Sequence, residues 1–207
     1  MAFDEYDDFE QEKLVKDWIK SNWLTIAVGI GLGLGGVIGI NYWKSEQQQK
    51  RYEAAKQYSS FTEIMKLSQL DEAQTKLSEM KKELGENFYS YEGHLLLAKE
   101  FVNKKELDKA VDELKKVINS KPDKLLTELA KLRLARVYNA QAKHDEALAQ
   151  VKSITISSFI SIAKEIEGDS YFAKGDLEKA KSAFQDSIAN GEGYSGKKNV
   201  EMKLENS

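Results

Sequence analysis

"LAKEFVNKKELDKAVDELKKVI", Leu97 to Ile118, decides how the chain reads. Apolar residues recur at three-four spacing on both sides of a polar step, which describes two amphipathic helices joined by a short turn. Three other segments align with its second half: "LDEAQTKL" from Leu70, "HDEALAQV" from His144 and "LEKAKSAF" from Leu177, beside "LDKAVDEL" from Leu107. Their alanines, Ala73, Ala110, Ala147 and Ala180, are 37, 37 and 33 residues apart. A recurring unit of that length, rich in Lys, Glu, Ala and Leu with a single proline in the chain, predicts stacked helical hairpins.

This pattern resembles the tetratricopeptide repeat, a helix-turn-helix unit of about 34 residues. Leu97, Ala98 and Phe101 take the large, small and aromatic places of a first helix. Ala110 and Leu114 take those of a second, and Pro122 ends the unit. Leu134, Ala135, Tyr138, Ala147 and Val151 repeat the set, as do Gly168, Tyr171, Ala180 and Phe184. The small residue lets two helices come close while the aromatic fills the next turn, so each hairpin buries its stripe against a neighbour. Departures are visible. His94, Lys131 and Lys164 stand where tryptophan is usual, Glu167 where leucine is, and Ser60 and Phe61 where a leucine and a small residue belong. The domain is therefore tetratricopeptide-like. "SITISSFISI", Ser153 to Ile162, is rich in β-branched residues, yet two helical patterns flank it. It is expected to end one hairpin and connect to the next. Ser45 to Leu67 reads as a helix rising from the preceding segment, and Lys197 to Asn206 as a closing helix.

That preceding segment has no charged residue between Lys20 and Lys44. From Trp23 to Ile40 it is apolar or glycine apart from Thr25, long enough as a helix to cross a bilayer core of about 30 Å. Gly31, Gly33 and Gly36 have the spacing of a dinucleotide-binding turn, but no strand precedes them and a helix follows, so that reading fails. Trp18 and Trp23 at one end and Tyr42 and Trp43 at the other match rings at both interfaces. The acidic start and the absence of small residues after Ile40 argue for an uncleaved anchor instead of a signal peptide. Lys13, Lys16 and Lys20 face Lys44, Lys50, Arg51 and Lys56, so counting bases does not orient the span. Gly31, Gly35 and Gly39, with Gly29 and Gly33, form small-residue stripes, a candidate contact for another membrane helix.

Expected overall is an all-α chain: an acidic tail over residues 1–21, a single N-terminal transmembrane helix over 22–43, and a tetratricopeptide-like α-solenoid of about four hairpins over 44–207. Of 34 acids and 31 bases, seven and three lie in residues 1–43, leaving 27 and 28 in the remainder. A near-neutral domain lacks the basic excess that supports nucleic-acid binding. There is no cysteine, which removes disulfides, thiolate metal sites and cysteine nucleophiles. His94 and His144 lie in different units without ligand partners at helical spacing, and Asp112 and Glu113 beside Lys115 and Lys116 read as a solvated helix face. No serine sits in a nucleophile elbow. The expectation is a protein that is not an enzyme and uses no cofactor or metal.

"NYWKS" at the exit of the span, "AKEFVNKKELDKAVDELKKVI", "KLRLARVY" and "AKGDLEKAKSAF" together resemble the YfgM family. Its members are single-pass inner-membrane proteins of Gram-negative bacteria, ancillary to the SecYEG translocon. The resemblance implies a cytoplasmic N-terminus, a periplasmic repeat domain, and partners comprising SecYEG, a membrane-anchored periplasmic chaperone of the prolyl-isomerase type, and secreted or envelope protein clients, with the lipid bilayer around the anchor. It also implies a link to envelope stress, so a regulatory scaffold that sequesters a signalling protein is the alternative. In the repeat family the first helix of each unit lines the concave face. Carrying those positions over gives a candidate protein-binding groove of Leu95, Lys99 and Val102, then Leu132, Arg136 and Asn139, then Glu165, Asp169 and Phe172.

Overall fold

Residues 8–191 and 193–206 are described by a computed structural model, and every regular element among them is an α-helix. Asp4, Glu5 and Asp7 of the acidic tail lie outside the described residues. In chain order the helices are α1 (Asp8–Lys66), α2 (Leu70–Leu84), α3 (Phe88–Asn103), α4 (Leu107–Ser120), α5 (Lys124–Ala140), α6 (His144–Val151), α7 (Ser157–Ala173), α8 (Leu177–Ala189) and α9 (Lys197–Glu205). The chain forms two units, residues 1–53 and 54–207.

In the first unit α1 is long and apolar enough to cross a membrane. Its apolar side chains, from Leu14 through Trp23 and Leu32 to Trp43, are bare. Leaving that much contiguous apolar surface in water is strongly unfavourable, and a bilayer relieves it. Where the apolar stretch begins, Ser21 Oγ and Asn22 Nδ2 both donate to the Trp18 carbonyl, at 3.0 and 2.9 Å, so their polar groups are satisfied within the helix.

The second unit is built from four hairpins that share one turn. Ser68, Lys105, Ala142 and Gly175 each adopt a left-handed backbone, with φ of 57°, 62°, 59° and 81°. The following N–H reaches back five residues to close the preceding helix: Gln69 to Ile64, Glu106 to Phe101, Lys143 to Tyr138 and Asp176 to Tyr171, at 3.4, 2.8, 2.8 and 3.0 Å. This is the Schellman way of satisfying orphaned carbonyls, and it needs the left-handed residue that glycine adopts most readily. Only the fourth turn has a glycine there. Ala142→Gly is thus expected to raise stability by about 0.5–1 kcal/mol by removing left-handed strain from an exposed site. Urea melts of parent and variant check it, and a destabilised variant would contradict the turn assignment.

Close packing follows the small residues. Ala73, Ala110, Ala147 and Ala180 are all fully buried. At Gly168 a Cβ would stand 2.4 Å from the buried Phe184 ring, so any larger residue there would have to push that ring aside. The first hairpin differs: Phe61 occupies the place of Ala98, Ala135 and Gly168, and the backbones of α1 and α2 do not approach as those of the other pairs do. Its ring is fully buried and stacks on Tyr58 at 5.7 Å between centroids. Side-chain bulk therefore fills the space that close backbone approach closes elsewhere.

One continuous core runs from Phe61 through α2–α6 to Ile166. A separate small cluster, Ala180, Phe184 and Val200 with Tyr171, Tyr194 and Leu204 against it, ties α9 to the fourth hairpin. The β-branched run forms no strand. Its first residues link α6 to α7, with Ile154 buried, and from Ser157 it is already the opening turns of α7. Ile156, at the N-cap, offers no side-chain acceptor. Glu128 of α5 instead secures the approach to the helix, accepting the N–H groups of Thr155 and of Ile156 itself at 3.0 and 2.8 Å.

Candidate protein-binding surface

α3 and α5 pack side by side, as do α5 and α7, so the first helices of successive hairpins share one face. Between α3 and α5 lies a groove of about 290 Å³. Its floor includes Ala98, Leu114 and Val137, and its walls carry Lys99, Arg133 and Arg136, with Val102 exposed at the edge. Basic heads on apolar stems suit such a wall, since the methylenes extend the apolar surface while the charges stay in water.

The nine groove candidates divide accordingly. Lys99, Val102 and Arg136 line this groove. Leu95 and Leu132 do not: they are 1% and 3% exposed and belong to the main core. The open face of α5 carries Arg133, Arg136 and Ala140: Arg136 belongs to the candidate series, whereas Arg133 and Ala140 each follow by one residue a member of it, Leu132 and Asn139. A residue step turns an α-helix by about 100°, which carries a side chain from the groove into the interior. Arg133 was missed for that reason; its spacing of three before Arg136 is the signal that would have found it. Asn139 holds structure together: its Nδ2 donates to the Ile166 carbonyl at 3.3 Å and its Oδ1 accepts from Ser170 Oγ at 2.9 Å. His144 Nδ1 lies 3.0 Å from the same oxygen.

Glu165, Asp169 and Phe172 border a second hollow, beside Met202 and Lys203 of α9. There the chain meets its own face. Lys203 Nζ lies 2.8 Å from both Glu165 and Asp169, Tyr194 donates its hydroxyl to Glu165, and Arg136 is 3.6 Å from Glu165. Burial raises the Glu165 pKa, but the bonds from Lys203 and Tyr194 outweigh it and hold the carboxyl below its usual range. Burial together with the Glu165 carboxylate pushes the Tyr194 phenol up to about 12. Asp169 is raised, chiefly by burial.

On the other side of the hairpins Glu113 corrects the expectation of a solvated face, for it is fully buried. Gln74 Nε2 donates to it at 2.7 Å, Lys116 Nζ at 2.8 Å, and His94 Nδ1 lies 2.6 Å away. These partners offset the burial that would raise its pKa and leave it lowered. Lys115 and Lys116 are exposed, so the periodicity placed the lysines correctly and the carboxylate wrongly.

Three buried carboxylates thus have lowered pKa values: Glu113, Glu128 and Glu165. Each binds its proton less readily folded than unfolded. Its contribution is full above the ordinary glutamate value of 4.5 and is lost as pH falls through the lower folded value. Asp169, raised, works in the opposite direction. The melting temperature is accordingly expected to hold near neutral pH and to fall steeply below about pH 4.5. A melting temperature flat down to pH 3 would contradict the three buried networks.

In the first unit a Cβ at Gly31, Gly35 or Gly39 would meet nothing within 4 Å, so the stripe is open. No group of three or more His, Asp or Glu able to hold a metal ion occurs among the described residues.

The model of the tetratricopeptide repeat-like domain family matches residues 16–207. The chain is similar to the ancillary SecYEG translocon subunit of Escherichia coli (strain K12), 29% identical over 95% of each chain. It is 31% identical to a protein of the same name from Aggregatibacter actinomycetemcomitans, over 87% of this chain and 89% of the relative. Against that of Haemophilus influenzae it is 30% identical over 95% and 96%. No solved structure matches the chain. With a repeat-like domain matched from anchor to C-terminus, and relatives of one name aligned over nearly their full length, the chain belongs to the family of ancillary SecYEG translocon subunits.

Proposed function

We propose that the chain is a membrane-anchored, non-enzymatic scaffold that binds proteins beside the Sec translocon. The observation that carries this reading is the near full-length alignment with proteins named as ancillary SecYEG subunits, which takes in both the apolar helix and the repeats. In the proposed arrangement residues 22–43 cross the bacterial inner membrane once, the N-terminal tail is cytoplasmic and the repeat domain is periplasmic. The partners are SecYEG, a membrane-anchored prolyl-isomerase-like chaperone, and secreted or envelope proteins leaving the channel. Tethering serves such work because it holds the repeat domain at high effective concentration near a membrane-embedded partner, so a weak contact suffices.

Reporters fused at each end test the arrangement. The expected result is a cytoplasmic N-terminal and a periplasmic C-terminal signal. A cytoplasmic repeat domain would overturn the translocon reading and favour a regulatory scaffold that sequesters a signalling protein. The glycine stripe is the proposed contact within the bilayer. Changing Gly31, Gly35 and Gly39 to Leu is expected to preserve insertion and weaken recovery of the membrane partner, since the bulk keeps another helix from approaching closely. Unchanged recovery would show the stripe to be only a thin anchor.

A further inference from the structure

The first-helix face carries two hollows of opposite charge. The one on the fourth hairpin presents Glu165 and Asp169 beside Phe172, and the chain's own α9, held on α8 by the buried Val200, borders it with Met202 and with Lys203, which meets both carboxylates. An apolar side chain with a countercharge beside it is therefore what this chain sets against the acids of its own inner face. The neighbouring groove, between α3 and α5, has the same apolar floor and the reverse charge: Lys99, Arg133 and Arg136 line it, and no acid does. Among the described residues Lys99 pairs with no carboxylate, Arg133 has only the Leu95 carbonyl at 3.4 Å, and both remain exposed.

We propose that this groove docks a short amphipathic segment of a partner protein, with an apolar anchor flanked by carboxylates. The proposal rests on the reading of the repeat domain as a protein-binding scaffold and names the chemistry of what it binds. The anchor covers the floor and Val102, while the flanking acids meet the basic wall. Burial of the anchor provides affinity, and the charges decide which segments are accepted and how fast they arrive. A groove that merely held any unfolded apolar chain would not distinguish the sign of the flanks.

The full-length chain in neutral-lipid nanodiscs, titrated into two labelled helical peptides, tests this. One peptide has leucines at three-four spacing flanked by glutamates, and its twin has lysine for each glutamate. By fluorescence anisotropy the acidic peptide is expected to bind at least about tenfold more tightly than the twin, and less tightly as salt is added. Lys99→Glu with Arg133→Glu is expected to abolish or invert that preference while leaving the melting temperature near that of the parent. Should the double variant misfold, Lys99→Glu alone is expected to narrow the preference. Equal binding of the twins, binding of neither, or a preference unchanged in a folded variant would overturn the proposal. Failure of the translocon reading would show instead as SecYEG missing from purifications of the parent chain, with the peptide preference intact.

Discussion

Replacing Leu95 or Leu132 by Ser is expected to cost about 3–5 kcal/mol at either position, whereas Val102→Ser should stay within about 1 kcal/mol. All three were candidates for the same groove. The two leucines are nearly inaccessible and lie in the core that joins α3 and α5 to their second helices, so a serine there loses apolar burial, leaves a cavity and buries a hydroxyl. Val102 is 39% exposed, and its replacement removes little from the interior. Urea melts of the three single variants separate the cases. Two variants that barely unfold earlier than the parent would mean that Leu95 and Leu132 face the groove and that the register of α3 and α5 is wrong.

The second large effect is expected at Glu128. Its side chain is 5% exposed and accepts three bonds at the entry to α7: two backbone N–H groups, and the Thr155 hydroxyl at 2.7 Å. Burial raises its pKa, yet the bonds from Ile156 and Thr155 prevail and keep it ionised. Glu128→Ala would strand those donors where water is scarce and free the segment that leads into α7, a loss of about 3 kcal/mol. Glu128→Gln keeps a neutral acceptor and is expected to lose about half as much. Because neighbouring hairpins stabilise one another, the damage should spread beyond α7. Hydrogen exchange is expected to rise first in the opening turns of α7 and then in α8, while α3 and α4 stay protected. Uniform loss of protection, or none, would contradict this account of the joint.

The period of the alanines revealed the hairpins because a close-packing position needs a small residue wherever it recurs, and Ala110, Ala147 and Ala180 are all fully buried. The long apolar helix was equally legible, since the charge-free run between Lys20 and Lys44 is read directly from the residues. What the repeat could not show was polar pairing between helices. Across helices Glu113 pairs with His94 and Gln74, 19 and 39 residues away, and Glu128 with Thr155 and Ile156, 27 and 28 away, and local periodicity assigns any glutamate to the surface. The groove was half visible. Lys99, Val102 and Arg136 were placed on it, but the same helical series took in Leu95 and Leu132, since an inherited register leaves the local rotation of each helix unspecified. Glu165 was read as a groove residue because nothing in its own helix foretells that Lys203 and Tyr194 will cover it.

The most direct test of the central claim is purification of the tagged full-length chain from membranes in mild detergent, with quantification of the proteins that accompany it. The account predicts that SecYEG is recovered well above the level obtained with an unrelated single-pass protein of equal abundance, together with a membrane-anchored prolyl-isomerase-like chaperone. Recovery of SecYEG no greater than with that control, from membranes in which the chain is inserted and folded, would contradict it.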